Sequence, residues 1–150
     1  MALVTTAGTE TLHSHWFSNV DLTTDQALIM GVQHHIYTVL SVIIHCNVLN
    51  ATTDKCYLKF QGMDLHATGG SGTVGHLATI NMQVGETYVW NDKFSFNGTQ
   101  PSGADNVMSA DVQIAVAAQA STTPQYLLFD VDHATDDFDV LVTYIDQNNA

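Results

Sequence analysis

A chain of 150 residues, 45% of them hydrophobic, is one domain with enough apolar side chain to bury a core unaided. Three lysines and no arginine stand against fifteen carboxylates, a formal net charge of −12. That balance excludes a direct grip on nucleic acid and disfavours an anionic membrane surface, since both need cations on the protein. The charged fraction, 12%, is about half the usual level, so much of the surface is Thr, Ser, Asn, Gln and Gly, which suits a protein covered by neighbours.

Residues 1–26 read as an N-terminal arm ahead of a single domain over 27–150. Met1 to Thr11 hold neither the cationic segment nor the apolar stretch of a secretory signal. Residues 1–19 lack periodicity, and Leu12, Trp16 and Phe17 are the groups such an extended arm would dock on the domain or on a neighbouring subunit. Thr23-Thr24-Asp25-Gln26 fits either the cap of a short helix over Ala27–Val32 or the lead into a strand, because Gly31 would interrupt a helix.

Ile36–Leu49 is the strongest strand, and both its even and odd positions are largely apolar, which predicts a central strand covered on both faces. Its apolar stretch Val39–Ile44, broken by Ser41, is far too short to span a bilayer. After the turn Asn50–Asp54 a return strand over Lys55–Gln61 points Cys56, Leu58 and Phe60 inward. Glycines at 62, 69, 70, 72 and 75 predict a long loop over 62–76. Strands follow at Leu77–Gln83, at Tyr88–Trp90 and Phe94–Phe96 with a bulge at Asn91-Asp92, at Val107–Ala120, at Tyr126–Val131 and at Phe138–Ile145. About eight such strands without a helical pattern predict an all-β, antiparallel β-sandwich, jelly-roll-like.

Chemistry-bearing residues are present without a strong motif. Of the eight histidines, His13 and His15 share one face of an extended segment, the spacing of a cupin metal site, but no Glu follows before Glu86, and partner-facing histidines are the better reading. The acidic run Asp130–Asp139 lacks the spacing of a calcium loop and reads as a solvated turn. Cys46 and Cys56 flank one turn with inward parity on what read as paired strands, and two buried free thiols is the preferred reading. Neither a nucleophile elbow nor a phosphate loop occurs. Trp16, Trp90, Tyr57 and Tyr88 are candidates for an aromatic sugar platform, although core or subunit contacts are the commoner fate of such side chains.

The run Ser41–Asn47, the turn Asn50–Asp54, the strand Tyr57–Phe60, the turn Val84-Gly85-Glu86-Thr87, the segment Trp90–Phe96 with its Asn97-Gly98 turn, and the closing strand Val140–Asp146 together resemble small β-sandwich structural proteins of tailed bacteriophages. The resemblance covers roughly residues 27–146 and departs from that pattern in the 62–76 loop and the His-rich first 45 residues. It implies a non-enzymatic virion protein, assembled in the host cytoplasm without a cofactor or metal. Such a protein decorates or cements the head shell as a homo-oligomer, a trimer in preference, and binds the major capsid protein or another virion protein. Contact residues on this reading are His13, His15, Trp16 and Phe17 in the arm and His66 and His76 in the loop. The rival readings are a tail, neck or fibre component, a carbohydrate-binding β-sandwich, and a cupin-like metalloenzyme.

Overall fold

The computed structural model describes residues 9–21, 23–63, 72–100 and 122–148. They form nine strands and no helix: β1 (Thr9–Val20), β2 (Gln26–Met30), β3 (His35–Val48), β4 (Lys55–Gly62), β5 (Thr73–Asn81), β6 (Thr87–Trp90), β7 (Phe94–Asn97), β8 (Tyr126–Val131) and β9 (Asp137–Asn148). The strand expected at Val107–Ala120 lies outside the described residues, as do residues 64–71 of the expected loop and His66 within it.

All pairings are antiparallel, and they sort the strands into two sheets. One runs β1-β9-β3-β6, with β7 also on β3; the other runs β2-β8-β4-β5. The pairing nests, first strand with last: β1 with β9, β2 with β8, β3 with β6 and β7, and β4 with β5. An antiparallel ribbon wrapped in this way into two packed sheets is a jelly-roll β-sandwich. Strands β6 and β7 bond successive stretches of β3, Val42–His45 and then Ile36–Val39, so they act as one strand broken at 91–93, where the sequence predicts a bulge.

The β3–β4 relationship corrects the expected hairpin. β3 lies in one sheet and β4 in the other, so the Asn50–Asp54 turn is a corner between layers. Alternation along each strand still sends Cys46 and Cys56 inward, both free and wholly buried, now from opposite sheets. Between the sheets, Val39, Val42, Ile44, Phe138, Val140 and Val142 meet Leu58, Leu127, Phe129 and Val131. Phe129 and Phe138 pack edge to face at 5.9 Å. Burying side chains of this size is worth about 1.5–3 kcal/mol each, which makes this double layer the main source of stability.

Residues 9–20 of the expected arm are a strand of the sheet, in register with β9 from Thr9 opposite Asn148 to Phe17 opposite Val140. The choice left open at Ala27–Val32 resolves as strand β2. The loop expected over 62–76 ends earlier, because Thr73–Val74-Gly75-His76 pair with Lys59–Gly62 as the start of β5. At one end of the sandwich the backbone interlocks: Gly98 N–H donates to His35 O at 2.8 Å, Gln125 N–H to Gly98 O at 2.9 Å, and Gly31 N–H to Gln125 O at 2.8 Å. A Cβ on Gly31 would stand 1.7 Å from Gly98 O, so only glycine allows this approach.

Candidate interaction surface

The outer face of the β1-β9-β3-β6 sheet is built by simple alternation. Val140 and Val142 point into the core, so Leu141 and Thr143 between them point out. Register then lines up one outward residue from each strand: Trp16 opposite Leu141, Leu141 opposite Ile43, and Ile43 opposite Val89. This apolar row crosses the whole sheet and ends in Trp16, 55% exposed, and Val89, 51% exposed. A second row starts with Leu12, 66% exposed, opposite Ile145. Leu12, Ile145, Leu40, Glu10 and Thr11 line a shallow depression of about 400 Å³.

The face also carries hydroxyls that bond one another: Ser14 Oγ to Thr143 Oγ1 at 3.2 Å between the rows, and Thr38 Oγ1 to Ser95 Oγ at 2.8 Å at the far end of the second row. His45 Nδ1 lies 2.9 Å from Thr87 Oγ1. Of the chain's three lysines, Lys55 and Lys59 lie on β4 in the other sheet, and Lys93 sits at this sheet's edge, in the break between β6 and β7. Apolar rows set among neutral hydroxyls, with a single lysine at the sheet's edge, are suited to docking a protein surface.

The residues expected to make contacts divide between places. Trp16 joins the outer row, whereas Phe17 packs against the core. His13 stacks on Tyr144 at 4.9 Å, and His15 meets Phe17 edge to face at 4.5 Å. His76 lies on the other sheet, stacked on Tyr57 at 5.1 Å.

A cluster that the sequence did not single out surrounds Asp146. Its Oδ1 lies 2.6 Å from His35 Nδ1, and its Oδ2 lies 3.9 Å from His13 Nε2. Burial, then the Asp146 carboxylate, pushes Tyr37 up to about 12; the same two causes raise Tyr144. Among the described residues no three His, Cys, Asp or Glu side chains converge so as to hold a metal ion, and no helix is long and apolar enough to cross a membrane.

The acidic run spends its carboxylates on the fold. Asp132 accepts Lys55 N–H at 2.9 Å and Tyr57 O–H at 2.7 Å, and Asp139 accepts Asn19 N–H at 3.1 Å. Asp130 Oδ2 pairs with Lys59, which also reaches Asp25 at 3.3 Å, while Asp130 Oδ1 is buried without a hydrogen-bond partner. Burial therefore lifts the Asp130 pKa above its ordinary value despite the cation beside it. The aromatic platform is not assembled either. Tyr88 and Trp90 pack against the core, the Trp90 indole donating to Asp92 O at 2.9 Å, and Tyr57 is in the opposite sheet.

No protein-family pattern matches the chain, and no curated protein matches it in sequence. Among solved structures, one chain of the crystal structure of the T13 IBDV viral particle is similar, with a TM-score of 0.41 and 8% identity. The likeness covers 96% of this chain and 36% of that one, so this chain spans about a third of its length.

Proposed function

We propose that the chain is a non-enzymatic virion structural protein, a capsid decoration or cement subunit that binds and stabilises a phage head shell. The observation that carries this reading is the outer face of the first sheet, with its apolar row Trp16–Leu141–Ile43–Val89. A face of this kind gains from being covered, and a shell offers the broad, shape-matched partner that many weak polar contacts require. The tailed-phage setting, the major capsid protein as partner and the trimeric state come from the resemblance over residues 27–146. The jelly roll does not choose among them, because capsid domains, lectins and cupins all use it.

Sedimentation with head shells of the encoding virus tests the reading. The wild-type chain should pellet with the shells and raise the temperature at which they dissociate. Val89→Asp, at a half-exposed position far from the core, should stay folded and bind at least about tenfold more weakly, since it buries an unpaired charge at the contact. A wild-type chain that remains in the supernatant overturns the reading.

A further inference from the structure

The outer edge of β1 makes a second contact surface, different in kind from the sheet face. β1 bonds β9 on one side, and among the described residues no strand bonds its other side. Most of its twelve residues are exposed. Such an edge offers alternate N–H and C=O groups to any strand that approaches, and proteins normally blunt it with lysine, proline, bulges or brevity. The opposite edge of the same sheet is blunted, being two four-residue strands parted by Asn91-Asp92-Lys93. β1 is irregular only between Phe17 and Val20, where Asn19 has a φ of 55°. From Thr9 to Phe17 it runs in unbroken register with no Lys, Pro or Gly and a single charge, Glu10.

We propose that this edge pairs with the β1 edge of a second copy of the chain, antiparallel, about a twofold axis at Ser14. Charge argues for this occupant and place. A molecule of net charge −12 repels its own copy wherever carboxylates face each other, and β1 is nearly uncharged. The side-chain order is also self-complementary about Ser14. Leu12 falls opposite Trp16 of the second copy and Trp16 opposite its Leu12, joining the two most exposed apolar residues of the strand. Glu10 falls opposite Ser18. Centring on His13 instead would set Trp16 against the Glu10 carboxylate. A twofold axis normal to the sheet keeps both outer faces on one side. The row Val89–Ile43–Leu141–Trp16 then continues into Leu12 and Ile145 of the second copy. The contact joins copies in pairs, in place of the trimer that the resemblance implies, and does not depend on whether the chain binds a shell.

Cross-linking tests it directly. Ser14→Cys places two thiols on the axis, where opposed Cα atoms about 4.5–5.5 Å apart permit a disulfide. Cys46 and Cys56 are buried and should not compete. Under mild oxidation Ser14→Cys should run as a covalent dimer, and Ser18→Cys, opposite Glu10, should not. Leu12→Lys and Trp16→Glu should each weaken association at least about tenfold by native mass spectrometry. The double variant should restore it at low salt, because the new cation and anion face each other across the axis. A wild-type chain that is monomeric at high micromolar concentration, equal cross-linking of Ser14→Cys and Ser18→Cys, or a double variant that stays apart would overturn the proposal. Circular dichroism confirms that each variant is folded. Loss of shell binding by Val89→Asp with pairing intact separates this contact from the shell contact.

Discussion

Asp136, which has no exposed surface, accepts the backbone N–H of Asn50 at 2.7 Å and so ties the β3–β4 corner to the β8–β9 turn. Its other oxygen accepts His133 N–H at 3.0 Å, closing the turn on itself. Both bonds join a buried carboxylate to the main-chain donors of exposed turn residues. Asp136→Ala should cost about 2 kcal/mol in urea denaturation, as two turn donors lose a charged acceptor, and Asp136→Asn should cost less.

Lys59 and Asp130 form a largely buried pair, with side chains 14% and 12% exposed. Lys59→Met should destabilise by about 3 kcal/mol, because Asp130 would keep its burial and lose its cation. The double variant Lys59→Met/Asp130→Leu should recover most of that loss. Equal urea midpoints for the single and double variants would show that the pair is not coupled.

Alkali should unfold the protein cooperatively. Burial first, then Cys46 nearby, pushes Cys56 from 9.0 to about 12, and Tyr37 rises from 10.0 to about 12. Both groups are held protonated by the fold, while the unfolded chain releases those protons at lower pH. Their contribution to stability is therefore complete below about pH 9 and is lost as pH rises towards 12. Cys56→Ala should flatten the fall in stability by about 1.4 kcal/mol per pH unit within that window. An unchanged slope would rule the thiol out as a contributor.

Glycine tolerance should differ sharply by position. A Cβ on Gly98 would sit 2.0 Å from the Val32 carbonyl oxygen, a backbone atom that cannot swing aside. Gly98→Ala should cost about 3 kcal/mol or more. A Cβ on Gly75 meets nothing within 4 Å, so Gly75→Ala should stay within about 0.5 kcal/mol of wild type. Thermal melts of the two variants provide the comparison.

Strand positions were legible because alternation marks which side chains are buried, but alternation does not say which sheet a strand joins. Cys56, Leu58 and Phe60 do point inward, yet the β3–β4 turn crosses between sheets instead of closing a hairpin. β1 escaped notice because an edge strand with a mostly exposed surface carries no apolar period. The outer row was half visible. Trp16 stands out as an aromatic, whereas the outward apolar positions of Ile36–Leu49, Ile43 among them, predict a second covering layer. The described residues place no third layer over that sheet, and its outward apolar residues are the ones the proposed docking face uses.

Pairing the first strand with the last also governs when the protein can fold. Thr9 lies opposite Asn148, and β9 separates β1 from β3 in the sheet. Until β9 has emerged from the ribosome, β1 has no partner and β3 lacks the strand that bonds one of its edges. Folding of this domain must therefore wait for β9, and contacts this distant in sequence make it slow. During that wait β1 and the β9-facing edge of β3 are open to other nascent chains. Crowded synthesis should then favour aggregation over native pairing, and slower expression at lower temperature should raise the soluble yield.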